Sequence, residues 1–173
     1  MENKDLNNQH HNGGEDKLPP LNLPRVNLKL ARVNNHICVF DNLRDKFVAL
    51  TPEEYVRQHF VHWLQSSLHY PSSLMANEVG ISVNDCRRRC DTVVYNSDGS
   101  LLLIVEYKAP NIPVTQAVFD QIVRYNMALK ARYLIVSNGL NHYCCAIDYK
   151  TGSYHFIPAI PDYRQLKHNI SDN

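Results

Sequence analysis

No run of about eighteen apolar residues occurs in this sequence, and its start lacks the charged-then-apolar pattern of a secretory leader. Neither a membrane span nor export is expected, and the cytoplasm is the expected location. An excess of charge is also missing: 18 Lys and Arg stand against 17 Asp and Glu, a formal charge of +1. Any contact with nucleic acid must then come from a local basic patch and not from a global field. There is no G-x-x-x-x-G-K-[ST] phosphate loop, which argues against an ATP-driven motor, and neither G-x-S-x-G nor G-x-G-x-x-G after a strand. The five cysteines are odd in number and show no framework spacing, so reduced thiols are expected. Cys86 and Cys90 lack a second pair at zinc-ligand spacing.

What remains fits one domain with a sizeable core. Residues 1–17 are rich in Asn, His, Gly and acids and read as a disordered polar tail, residues 18–165 as the folded domain, and residues 166–173 as a C-terminal tail. Short strands are expected over 26–33, 36–40 and 46–50. Thr51-Pro52-Glu53-Glu54 then announces a helix, with threonine at the cap, proline at the first helical position and glutamate three residues after the cap. That helix should run to about residue 69, with Val56, Phe60, Trp63 and Leu64 on its buried stripe. His59 and His62 lie three apart on it and could ligate a metal, although exposed helix histidines are the simpler reading. Strands at 78–83, 89–95 and 101–108 should follow. Thr115 should cap a second helix to about residue 130 with Val118, Ile122, Tyr125 and Leu129 inward, and strands at 133–137, 142–148 and 154–157 complete the list. Strand hairpin, helix, strand is the order of a mixed sheet flanked by helices, an α/β (α+β) fold.

Five residues stand out chemically. Asp91 precedes the apolar run Thr92-Val93-Val94-Tyr95, and Glu106 and Lys108 follow Leu101-Leu102-Leu103-Ile104-Val105. A half-buried carboxylate without a partner costs roughly several kcal/mol, so these charges should compensate one another or share a cation. Asn96-Ser97-Asp98-Gly99 reads as the turn of a hairpin. If Tyr95 pairs with Ser100, Asp91 lies opposite Ile104, and Glu106 becomes its diagonal neighbour on the same face, within about 8 Å. Two carboxylates at that separation suit a hard divalent cation, with Lys108 pointing into the same site. Gln121 and Tyr125 lie one helical turn apart; the phenol can be core, or can pair with the amide. Arg87-Arg88-Arg89, directly before the site, suits phosphate contact as well as it suits a solvated loop.

Asp91, a hairpin turn and Glu106-Tyr107-Lys108 resemble the D…ExK signature of the PD-(D/E)xK nuclease superfamily, and Gln121-x-x-x-Tyr125 resembles the QxxxY motif of its RecB-like branch. More closely, residues 18–163 resemble the N-terminal nuclease domain of type I restriction enzyme R subunits in a stand-alone form. Cys90 departs from the pattern, standing where the name-giving proline would. The resemblance implies a restriction-endonuclease-like core and Mg²⁺-dependent DNA endonuclease activity in restriction or repair. Asp91, Glu106 and Lys108 would be catalytic. The metal, Mg²⁺ or Mn²⁺, would be held by Asp91, Glu106, the main-chain carbonyl of Tyr107 and, on the preceding strand, Glu78. Gln121, Tyr125, Arg88 and Arg89 would contact DNA. DNA, a second copy of the chain and a restriction-system or helicase partner are the implied associations, with no membrane. The alternative is a catalytically idle nucleic-acid-binding or assembly module on the same fold.

Overall fold

Period-two apolar runs and two capped amphipathic segments resolve into two sheets and their helices in the computed structural model, which describes residues 18–83 and 86–168. Strands β1 (Leu30–Val33), β2 (His36–Asp41) and β3 (Lys46–Ala49) form a small antiparallel sheet. The large sheet has the order β4 (Met75–Val83), β5 (Cys86–Tyr95), β6 (Leu101–Tyr107), β7 (Tyr133–Ser137), β8 (His142–Asp148), β9 (Ser153–Ile157). Every neighbouring pair in it is antiparallel except β6 and β7. That parallel pair requires a crossover, which α2 (Gln116–Asn126) supplies. The result is the expected mixed sheet flanked by helices, in keeping with a restriction-endonuclease-like core.

Helix α1 (Pro52–Ser66) begins as its sequence dictates: the Thr51 hydroxyl accepts the Glu54 amide at 3.1 Å, with proline at the first helical position. It stops earlier than residue 69, because His69 adopts the left-handed conformation and the Tyr70 amide turns back to the Leu64 carbonyl. Val56, Phe60 and Leu64 are wholly buried, and Trp63 packs partly buried beside them. His59 is not an exposed helix histidine. It is buried, with its Nδ1 2.9 Å from the Tyr55 carbonyl oxygen, and burial lowers its pKa.

The strand alternation divides the core. Val94, Leu103, Val105, Tyr107 and Ile135 face α1, whereas Val93, Ile104, Leu134 and Val136 face α2. On α2 the buried side chains are Phe119, Ile122, Val123 and Asn126, so the inward stripe is rotated from the expected one and Tyr125 stands 46% exposed. The α-helix ends at Asn126 in a short 3-10 turn closed by left-handed Lys130. A further helix, α3 (Tyr163–His168), was not among the expected elements, and its Leu166 reaches the α1-side core. Of the expected 166–173 tail, residues 166–168 belong to α3, and its remainder, residues 169–173, lies outside the described residues, as does the expected tail over residues 1–17.

Candidate active site

The site forms where β5 and β6 part. The hairpin register differs from the expected one: Tyr95 pairs with Leu101, and a bulge between Val94 and Tyr95 sets Val93 opposite Ile104 and Thr92 opposite Val105. Extending that register puts Asp91 level with Glu106 instead of diagonal to it. The displacement is two residues, so the face assignment of Glu106 survives even though the expected pairing does not. Beyond Thr92 the Asp91 carboxylate turns between the strands, and its Oδ2 accepts the Tyr107 amide at 2.8 Å. On the other side of β5, Asn77 pairs with Thr92 and Val79 with Cys90, which leaves Glu78 level with Asp91. Three carboxylates therefore stand in a row across β4, β5 and β6.

Glu78 holds φ 58° inside a strand, a conformation uncommon for any residue but glycine. Two arginines hold it there: Nη2 of Arg57 lies 2.5 Å from its Oε1, and the Arg89 Nε meets its Oε2. Arg57, only 4% exposed, also donates from Nη2 to Asp91 Oδ1 at 2.9 Å and from Nη1 to Glu54 Oε2 at 2.8 Å. Burial works against its charge, but Glu54, Asp91 and Glu78 outweigh burial and raise its pKa. Glu54 accepts in turn from Gln58 at 2.8 Å and from Arg44 at 2.6 Å, and the Arg44 Nε meets Asp41. Behind this chain, Asn77 donates to Asp41 at 2.8 Å, Thr92 to Asn77 at 2.6 Å and the Tyr107 phenol to Thr92 at 3.1 Å. The middle residue of the Glu106-Tyr107-Lys108 triplet is thus a wholly buried anchor whose side chain faces α1.

Glu106 is the contrast. Among the described residues no donor reaches its carboxylate by hydrogen bond. Burial, then the neighbouring Asp91 charge, pushes its pKa up to about 8, with Lys108 pulling in the other direction. Glu53, in the first turn of α1, is raised by burial and by Asp91 and is lowered by Lys108, so it belongs to the same electrostatic cluster. The Lys108 amide is fixed by the Ser137 carbonyl at 2.9 Å. A cleft of about 230 Å³ opens onto Glu106 and is bordered by Arg87, Arg89, Tyr125 and Asn126, with Cys90 in its wall. Burial and the nearby Glu106 and Asp91 push the Cys90 thiol up to about 12, so it is not a nucleophile there.

The structure thus gathers Glu78, Asp91, Glu106 and Lys108, and brings Tyr125 and Arg89 to the cleft. Gln121 donates to the Tyr125 phenol at 3.2 Å on the exposed side of α2. Arg89 is already paired with Glu78, and the Arg88 side chain lies outside the described residues. Arg87, on the same strand face as Arg89, lines the cleft as well. Sequence reasoning missed Glu53, Arg57 and Arg44. A signal for Arg57 exists: it stands at i+4 from Glu53 and i+3 from Glu54, next to the Phe60 and Leu64 stripe, where an unpaired charge is not tolerated.

Among the described residues no three His, Cys, Asp or Glu side chains stand together as a metal cluster. A divalent ion that keeps its waters does not need three. One or two carboxylates with a main-chain carbonyl and water oxygens are a Mg²⁺ donor set, and Asp91 together with Glu106, whose carboxylate no described donor reaches, fits it. No described helix is long and apolar enough to cross a membrane.

The family model described as Type I restriction enzyme R protein N terminus matches residues 52–161, from the start of α1 through the whole large sheet, and the chain belongs to that family. Comparison with curated proteins returned no match. Among solved structures, a fragment described as an HsdR subunit of a type I restriction enzyme from Vibrio vulnificus YJ016 superposes with a TM-score of 0.51 at 20% identity, over 70% of this chain and 25% of that one. At that identity the likeness speaks for the fold. This chain spans about a quarter of the length of that fragment.

Proposed function

We propose that this chain is a divalent-metal-dependent DNA endonuclease with a role in restriction or repair. The observation that carries the reading is that Glu106, with no described hydrogen-bond donor and a raised pKa, stands beside Asp91 and Lys108 at the parting of β5 and β6. Family membership supports it. Asp91, Glu106 and the Tyr107 main-chain carbonyl would hold Mg²⁺, or Mn²⁺ in its place, with Glu78 adjoining. The ion supplies polarisation of the scissile phosphate and a lowered pKa for the attacking water. Lys108 Nζ orients that water and offsets the charge that develops on the phosphate oxygens. Tyr125 on the cleft border, the Gln121 that bonds its phenol, and Arg87 and Arg89 contact the DNA backbone, a sequence-independent and salt-sensitive contribution. A second copy of the chain and other subunits of a restriction system are the proposed protein partners.

The test is cleavage of plasmid DNA with Mg²⁺ or Mn²⁺ by the native chain and by Asp91→Asn. Nicking or linearisation by the native chain alone is expected. A second reading, the catalytically idle DNA-binding or assembly module, has one observation in its favour: both Asp91 oxygens already accept protein donors. DNA binding without cleavage under any divalent ion decides for it.

A further inference from the structure

Arg57 serves more acids than its own charge can balance. It bonds Glu54, Glu78 and Asp91, drawn from α1, β4 and β5, while Glu54 is tied back to Arg44 and Gln58. Its Nε is buried with no hydrogen-bond partner. A buried ion network is costly, and apolar side chains in place of all its members are often neutral or stabilising, whereas loss of one member alone leaves uncompensated charge. An interior arginine that leaves one of its own donors unsatisfied is therefore placed to suit the carboxylates around it. Two of those, Asp91 and Glu78, stand in the row that ends at Glu106. The Glu54 contact lies within α1, and an ion pair that merely fastens α1 to the sheet would need one acid on one strand, whereas a single Nη2 here converges on both site carboxylates, Glu78 on β4 and Asp91 on β5.

We propose that Arg57 is the resident counter-cation of the metal site. It neutralises and orients Asp91 and Glu78 while no divalent ion is bound, and it competes electrostatically with that ion, so it sets the concentration at which the site fills. The assignment rests on the nuclease reading above. Arg57 acts through Asp91 and Glu78 and is a positioning residue. Its charge should count against metal binding, whereas a purely structural arginine would, when removed, loosen Asp91 and weaken binding.

Calorimetric titration of Mn²⁺ into the native chain, Arg57→Met and Arg57→Lys, with melting temperatures at zero and saturating Mn²⁺, reads this without any cleavage. Arg57→Met removes the charge and keeps an apolar stem. It should melt lower without metal, bind Mn²⁺ at least about tenfold more tightly, and recover more on saturation than the native chain does. Arg57→Lys keeps the charge but not the fork, and its Mn²⁺ affinity should stay within about threefold of native. Unchanged or weaker binding by Arg57→Met overturns the proposal. If that variant does not fold at any Mn²⁺ concentration, Arg57→Lys decides: a tenfold change there in either direction overturns it. A native chain that binds no Mn²⁺ sinks the nuclease reading and this assignment together, whereas native binding without the Arg57→Met gain sinks the assignment alone.

Discussion

Replacing Glu106 by glutamine should stabilise the metal-free protein at alkaline pH. The carboxyl is raised from 4.5 to about 8, first by burial and then by Asp91. A carboxyl whose folded pKa lies above its unfolded one binds its proton more tightly when folded. The stability it supports is complete below pH about 4.5 and is lost as pH rises through about 8. A rise of about 3.5 at about 1.4 kcal/mol per pH unit is about 5 kcal/mol, and the solvent contact that Glu106 retains reduces this to about 3 kcal/mol. Glutamine is isosteric and cannot ionise. Because no described donor bonds the Glu106 carboxylate, the exchange forfeits no hydrogen bond.

The assay is urea unfolding in EDTA at intervals from pH 5 to pH 9, native chain against Glu106→Gln. The two should agree near pH 5 and diverge steadily above it, until the variant is more stable by about 3 kcal/mol at pH 9. Saturating Mn²⁺ should then close the gap from the native side, because an ion bound by the ionised pair stabilises only the chain that still has both carboxylates. Parallel pH profiles in EDTA would refute the reasoning, as would a variant less stable than native at pH 9. Either result would mean that Glu106 is solvated and that the row of carboxylates holds no shortage of positive charge.

Lys108→Ala should slow single-turnover cleavage by roughly 10²-fold or more while leaving DNA affinity within a few-fold, since its contact forms mainly in the transition state. Equal rates would remove lysine from the reaction. Removing Arg87 and Arg89 together should instead weaken binding to every DNA sequence and flatten its salt dependence by about one unit of slope per lost phosphate contact. A change confined to one sequence would point to base contacts. Gly139→Ala, where a new Cβ would meet Leu21 Cδ2 at 2.7 Å on a backbone with φ +81°, should lower stability by about 1–3 kcal/mol in urea unfolding. An unaltered midpoint would mean that the 18–23 lead-in does not pack there.

Local signals in this chain are legible wherever one physical rule governs them. The Thr51 and Thr115 caps start their helices because a side-chain oxygen answers an amide that the helix cannot satisfy. Apolar runs bounded by turn residues located β7 and β8 to the residue. The hairpin register was missed because the bulge at Val94 and Tyr95 is a property of sheet twist and is not announced by its turn. Parity rescued the site: a two-residue slip keeps Glu106 and Lys108 on their face. The rotated stripe of α2 was missed for a related reason. Tyr125 and Phe119 are both apolar enough to be inward, and only packing against Tyr154 and Phe156 makes Phe119 the buried one.

The arginines escaped notice because a sequence shows carboxylates at recognisable spacing but does not show what neutralises them. Alternation alone pairs Asp91 with Glu106 and sets Lys108 beside them, and it carries no sign of Arg57. In the folded chain the compensation is uneven. Asp91 receives a guanidinium and a backbone amide, Glu78 receives two guanidinium groups, and Glu106 receives no hydrogen bond from any described residue. That unevenness is what a site for an external cation requires. If every carboxylate were paired internally, an ion would have to break those pairs to enter. If none were, the empty fold would carry three mutually repelling charges at the meeting of α1 and the sheet. Arg57, braced from behind through Glu54 and Arg44, supports two of the three and leaves the third, Glu106, facing the open cleft with its pKa displaced.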